Sequence, residues 1–148
     1  MDLTVSLLAP CEPKQLFYWV GTLERYPQWL GIVSQVVPDQ GSDGDHETAW
    51  LVDISAKVGP FTRSKRLRMV RSEYLENESA IFERVELDGR DHGEWILKAE
   101  VEREGTNGGS QLEMSLTYNG KLWGAMLEPI LADEIERSRQ RLLDLVTQ

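Results

Sequence analysis

A chain of 148 residues with 41% hydrophobic content is the size of one domain, here taken as 1–148, and is long enough to bury a core. Its formal net charge of -9 argues against a sequence-independent grip on nucleic-acid phosphates, which needs clustered cations, and its one cysteine, Cys11, excludes an internal disulfide. The N-terminal stretch lacks the basic region of a signal peptide, and no run approaches the roughly twenty apolar residues of a membrane span, so a soluble cytoplasmic protein is expected.

Leu3 to Ala9 (LTVSLLA) reads as an opening strand broken by Pro10 and Pro13. Pro13 suits the first turn of a helix running to about Leu23, with Leu16, Phe17, Val20 and Leu23 at helical spacing and a yield near Gly21. In ERYPQWLGIV, Glu24 to Val33, Pro27 fits the first turn of a short kinked helix, preceded by Tyr26 and followed by Trp29, Leu30 and Ile32. A strand follows at Val33 to Pro38.

From Thr48 the period becomes two. Trp50, Val52, Ile54, Ala56 and Val58 share one face; so do Trp95, Leu97, Ala99 and Val101, and again Leu112, Met114, Leu116 and Tyr118. A Gly59-Pro60 turn pairs Val52 with Leu67 and Trp50 with Met69. An Asn107-Gly108 turn pairs Val101 with Met114, Ala99 with Leu116 and Leu97 with Tyr118. An Asp88-Gly89 turn pairs Phe82 with Trp95 and Arg84 with Gly93, which turns Arg84 inward. The alternation of Ile81, Val85 and Leu87 favours the other phase, with Glu83 inward, and both phases stand.

After Gly120 the period returns to helical. Leu127, Leu131, Ile135, Ser138, Leu142 and Leu145 form an apolar stripe, while Glu134, Glu136, Arg137, Arg139, Gln140 and Arg141 form much of the polar surface. Pro129 either kinks this helix or marks its first turn, with 122–128 as a separate lead-in. One strand, two short helices, further antiparallel strands and a long helix make an α+β chain. Its inward set mixes large residues with small ones such as Ala56, Ala99, Gly93 and Ser138, and such a set either packs solid or leaves a pocket.

That order, with ERYPQWL after the first helix, VGPF between two long strands and YNGKLWG ahead of the terminal helix, resembles the SRPBCC superfamily. This is the helix-grip, or START-like, group that includes polyketide cyclase/dehydrase-type and coenzyme Q-binding proteins. The likeness spans nearly the whole chain, and its degenerate motifs identify the superfamily better than a subfamily. It implies a curved antiparallel sheet of about seven strands wrapped round the C-terminal helix, with two short helices between the first two strands. It also implies a cavity that commonly holds a lipid, polyketide, sterol or quinone. The fold hosts carriers and enzymes alike.

On this reading the ligand wall comprises Trp29, Trp50, Val52, Ile54, Leu67, Met69, Phe82, Trp95, Leu97, Met114, Leu116 and Tyr118, joined by Trp123, Met126, Leu127, Ile130 and Leu131. Tyr26, Trp29 and Leu30 either gate the cavity mouth or anchor a short helix as core aromatics. Acid-base chemistry would need a titratable group inside the cavity, for which Arg84, Glu83 and Tyr118 are the catalytic candidates. Binding ranks ahead of catalysis, because no nucleophile with an adjacent base is legible. His92 and Glu94, two apart, suit a proton relay or a solvated edge pair. Cys11 is a reactive thiol at a helix start or an incidental one. His46 and His92 have no partners at ligand spacing, so no metal and no cofactor are expected.

Three functions follow. The first is binding or transport of a hydrophobic small molecule. The second is a polyketide cyclase, aromatase or dehydratase. The third is a ribosome- or protein-associating module using the cations Arg63, Lys65, Arg66 and Arg68, although the bland reading of that run is a solvated strand face. Direct nucleic-acid binding is not expected, and a homodimer or protein partner stays open.

Overall fold

Among the described residues, seven strands form one antiparallel sheet in the order β1-β7-β6-β5-β4-β3-β2. The computed structural model describes residues 2–39, 48–105, 108–119 and 127–147. The strands are β1 (Asp2–Ala9), β2 (Val33–Pro38), β3 (Ala49–Val58), β4 (Phe61–Leu75), β5 (Ser79–Arg84), β6 (Trp95–Arg103) and β7 (Ser110–Tyr118). Because β1 and β2 are opposite edges, the chain between them must cross the width of the sheet. Helix α1 (Pro13–Val20) and a 3-10 helix (Leu23–Gln28) carry it, and the long helix α2 (Leu127–Val146) lies over the inner face.

Helix α1 starts at Pro13, where the missing N–H is no loss, and the Glu12 N–H donates to Gln15 Oε1 at 2.8 Å. It stops at Val20 rather than near Leu23. A Cβ at Gly21 would stand 2.5 Å from the Phe17 ring, so only glycine lets the chain leave the helix beneath that ring. Arg71 of β4 then donates to the Gly21 carbonyl at 2.8 Å. Pro27 lies near the end of the 3-10 helix, not in its first turn as expected. The aromatic run is anchored by its polar tips: Tyr26 Oη donates to Val20 O at 2.9 Å and Trp29 Nε1 to Trp19 O at 3.0 Å. Burial pushes the Tyr26 phenol far above its usual range, so it stays a donor.

The β3–β4 hairpin has the expected register, Val52 opposite Leu67 and Trp50 opposite Met69. The other two hairpins are offset from expectation by two residues. In β6–β7, Val101 faces Leu112, Ala99 faces Met114 and Leu97 faces Leu116. The Glu104 N–H donates to Gly109 O at 2.9 Å, so the connection runs over 104–109 rather than a two-residue turn, and Asn107 lies outside the described residues. In β5–β6, Phe82 faces Leu97 instead of Trp95, because 85–94 is a long connection and not a tight hairpin. An even offset keeps every side chain on its own face, so the inner faces still agree. Phe82 is wholly buried and Arg84 shares its phase, so Arg84 and not Glu83 takes the inner side.

Pro129 falls in the first turn of α2, while 122–126 lie outside the described residues. The stripe Leu131, Ile135, Ser138, Leu142 and Leu145 is extended by Val146, and Leu131, Ser138, Leu142 and Val146 are buried.

Two polar links invite tests. Fully buried Ser110 donates to the Cys11 carbonyl at 2.6 Å and ties the start of β7 to the corner before α1. Ser110→Ala leaves that carbonyl unpaired, and denaturant melts should show a loss of about 1–2 kcal/mol. On the outer face, Arg66 donates to both Asp53 oxygens at 2.7 and 3.2 Å, which holds the Asp53 carboxyl below its usual range. A depressed carboxylate stabilises the fold above its unfolded-state pKa, and that contribution is lost as pH falls through the folded value. The small melting-temperature gap between the wild-type chain and Arg66→Met should therefore be open at neutral pH and close in acid. A gap that is constant with pH would assign it to packing instead.

Candidate ligand cavity

Between the inner face of the sheet and α2 lies a cavity of about 140 Å³. Its floor is Val52 and Ile54 of β3, Leu67 and Met69 of β4, Trp95 and Leu97 of β6, and Leu112, Met114 and Leu116 of β7. Leu3, Val5 and Leu7 of β1 close one side; Leu23, Tyr26, Trp29, Leu30, Ile32 and Val33 close the end reached by the 3-10 helix. Leu131, Glu134, Ile135, Ser138, Arg139 and Leu142 of α2 form the roof. Ser6 and Ser115 border the space too, but by strand alternation their side chains belong to the outer face.

Of the residues expected at the ligand, Trp29, Val52, Ile54, Leu67, Met69, Trp95, Leu97, Met114, Leu116 and Leu131 stand in this wall. Trp50, Phe82 and Tyr118 are not among the wall residues. Trp50 gives its Nε1–H to Glu24 Oε1 at 3.0 Å and packs its ring edge to face on Phe82, with centroids 5.8 Å apart. Tyr118 stacks on the wall residue Trp95, with centroids 5.2 Å apart. Ile130 lines a neighbouring surface groove. Trp123 and Met126 lie outside the described residues, as does the side chain of Leu127.

The β1 residues were legible in the alternation of LTVSLLA, whereas Arg139 was not. Helical periodicity assigns it to the polar surface, but a long side chain reaches around the helix and enters the roof.

The charged side chains that line the cavity come from α2. Glu134 Oε1 accepts from Arg141 Nη1 at 3.0 Å and from Ser138 Oγ at 3.5 Å, and Arg137 approaches its other oxygen at 3.8 Å. A Cβ at Gly31 would fall on Glu134 Oε1 and 2.7 Å from Arg141 Nη1, so the bare backbone at 31 is what lets this pair close over the turn. Arg139 donates through Nη1 to Glu136 at 3.1 and 3.2 Å, but its Nε is buried without a hydrogen-bond partner among the described residues. Such an unmet donor costs about 1–3 kcal/mol.

The acid-base candidates stand elsewhere. Neither Glu83, Arg84 nor Tyr118 is in the cavity wall. Arg84, its side chain 6% exposed, donates to Glu86 Oε2 at 2.7 Å and Gly93 O at 3.3 Å, and faces His92 Nδ1 at 3.3 Å. His92 Nε2 meets Asp88 at 2.8 Å, so its partners are Asp88 and Arg84 and not Glu94, whose N–H goes to Asn119 Oδ1. Burial pushes the Cys11 thiol up, against a reactive thiolate. In the cationic run, Arg66 is engaged by Asp53 and buried Arg68 by Asp39 at 2.7 Å and the Val85 carbonyl at 3.0 Å. Among the described residues no cluster of metal-ligating side chains occurs, and no helix is long and apolar enough to cross a membrane.

No protein-family model matches the chain and no curated protein matches it in sequence, but solved structures do match in fold. A START superfamily protein from Mycobacterium smegmatis superposes with a TM-score of 0.71 at 13% identity, covering 99% of this chain and 97% of that one. The di-domain ARO/CYC protein BexL, from the BE-7585A biosynthetic pathway, gives 0.66 at 15% identity, covering 100% of this chain and 50% of its own. A second di-domain ARO/CYC protein, StfQ from the steffimycin biosynthetic pathway, gives 0.62 at 14% identity over 98% of this chain and 48% of its own. The chain thus has the START-like helix-grip fold and spans about one half of each di-domain protein.

Proposed function

We propose that this chain binds or carries a small hydrophobic molecule in the cavity between the sheet and α2. The observation that carries the reading is a space of about 140 Å³ walled by apolar side chains in an otherwise packed interior. At about 24 cal/mol per Å³, leaving such a space empty forgoes about 3 kcal/mol, which a purely structural core recovers by filling it. The volume also limits the occupant. An engineered apolar cavity of about 150 Å³ accepts benzene, whereas drug-sized ligands occupy roughly 300–1,000 Å³. Of the lipid, polyketide, sterol and quinone classes, a one-ring molecule or a one-ring end of a larger one fits without moving the walls.

The fold likeness to the START superfamily protein supports a hydrophobic ligand. The likeness to the two ARO/CYC proteins supports a second reading, a cyclase-type enzyme. That reading finds none of its expected participants in the wall, since Glu83, Arg84 and Tyr118 are not among its residues, and the titratable pair that does line it, Glu134 and Arg139, is engaged by Arg141, Ser138 and Glu136. The test is native mass spectrometry of the purified chain, followed by solvent extraction. A stoichiometric apolar adduct, or one restored by adding the extract, is the expected result. A protein that takes up no apolar compound of one-ring size would contradict the proposal.

A further inference from the structure

The hairpin of β3 and β4 outgrows the sheet. β2 follows β3 only as far as Ile54, with one further bond from the Ser55 N–H to Ile32 O at 2.9 Å, and β5 meets β4 only from Met69 onward, with one further bond from the Val85 N–H to Arg68 O. Beyond those points the two strands pair with each other alone, out to Val58 opposite Phe61. At about 3.3 Å per residue, the ribbon projects about 10 Å past β2 among the described residues. The inner-face phase of β4 marks where the core ends. Met69 and Leu67 are buried, but the next residues in that phase, Lys65, Arg63 and Phe61, are exposed, Phe61 at 62%. Lys57 is exposed on the opposite face of the ribbon. Residues 54–65 carry three cations and no acid in a chain of net charge -9, and none of the three is ion-paired among the described residues. The guanidinium of Arg63 stands 5.7 Å from the Phe61 ring.

We propose that this hairpin docks the protein tip-first on an anionic lipid surface, with the Phe61 ring at the interface and Lys57, Arg63 and Lys65 among the headgroups. An aromatic tip with cations on both faces of its stem fits a partner that is apolar within and anionic at its boundary. A nucleic acid offers the same charge but rewards a row of stacked aromatics in a groove, and this ribbon presents one aromatic at a tip. The acidic body does not cancel the attraction, because the tip projects farther than the Debye length of about 8 Å at physiological ionic strength. The carboxylates facing the hairpin from α2, Asp133 and Glu134, are engaged by Arg137 and Arg141. Docking goes beyond the binding proposal and does not require it, but the two meet in the fold. The surface groove beside α2 is bordered by Ser55, Ala56, Lys57 and Thr62 of the hairpin, and it shares Ile32 and Glu134 with the cavity wall. A docked hairpin sets that side of the cavity near the phase in which a hydrophobic molecule dissolves.

The test is co-sedimentation of the chain with vesicles of equal parts phosphatidylcholine and phosphatidylserine, against vesicles of phosphatidylcholine alone. The wild-type chain should favour the anionic vesicles and release them as salt rises. Each cation near such a surface contributes about fivefold to partitioning, so Lys57→Gln, Arg63→Gln and Lys65→Gln together should weaken binding by about 100-fold. Phe61→Ser keeps the charge and removes the ring, and should weaken binding by about fivefold. All four side chains are exposed, so melting curves and toluene uptake of these variants should match the wild type. Equal sedimentation with both vesicle types, no sedimentation, or sedimentation indifferent to the three cations would overturn the docking and leave the cavity reading intact. The cations would then serve only to guard two unpaired strand edges. Retention on polyuridylate with the vesicles unbound would also overturn it and assign the ribbon to a nucleic acid. Sedimentation as expected from a chain that takes up no toluene would support the docking while contradicting the cavity.

Discussion

Leu116→Trp is expected to abolish uptake of a one-ring ligand while the melting temperature holds or rises. Leu116 lies on β7 directly opposite Leu97 of β6, and both line the cavity. An indole grown from this position enters the vacant space. Filling even a third of about 140 Å³ recovers about 1 kcal/mol at 24 cal/mol per Å³, while ligand affinity falls by about 100-fold or more because the same volume cannot be occupied twice. The sign of the stability change is the decisive part. In a core without a cavity the extra bulk overpacks and lowers stability by about 1–3 kcal/mol. A clear fall in melting temperature, with ligand binding retained, would therefore contradict the cavity.

Trp50→Ala should act the other way. Trp50 is 1% exposed, gives its N–H to Glu24 and sits edge to face on Phe82, beneath the Arg71 guanidinium 5.5 Å from its ring. Removing it strips a large buried ring and leaves the Glu24 carboxylate without that donor. The cost is about 3–5 kcal/mol, or about 10 °C or more in melting temperature for a chain of this size. Because Trp50 is not among the wall residues, the molecules that remain folded should bind ligand within about threefold of wild type, a change worth under 1 kcal/mol. Thermal melts and ligand titration below the transition check both halves. Strong loss of affinity at unchanged stability would put Trp50 on the ligand.

The contrast between Trp50 and Trp95 shows what periodicity could and could not supply. Period-two alternation put both tryptophans on the inner face, and the Gly59-Pro60 turn placed Trp50 opposite Met69 as observed. Alternation is a property of one strand, so it reports a face and not the position along it. Whether an inward residue meets the cavity or the packed layer beneath the short helices depends on where α2 and the 3-10 helix cross, and that is a tertiary property. The same limit explains the shifted hairpins. Gly89 and Gly108 have the positive φ of turn glycines, but the long connections around them close at other residues, so dipeptide turn signals fixed the right bends with the wrong loop lengths. Arg139 was missed for a different reason. Sequence pattern treats a charged residue as a surface residue, whereas the reach of its stem carries its Nε into the interior. Gly31 carried no readable signal either, since its role is to leave room for Glu134 and Arg141, which arrive from a distant helix.

The proposed function stands on occupancy of the space between the sheet and α2 by a small apolar molecule. Its most direct test is a methyl-region NMR titration of the chain with toluene. Saturable, one-to-one shifts are expected, confined to wall residues on both sides, Leu97, Met114 and Leu116 on the sheet and Leu131 and Ile135 on α2. Shifts that never saturate, or that fall on the exposed Leu8, Leu75 and Leu87 instead, would contradict it.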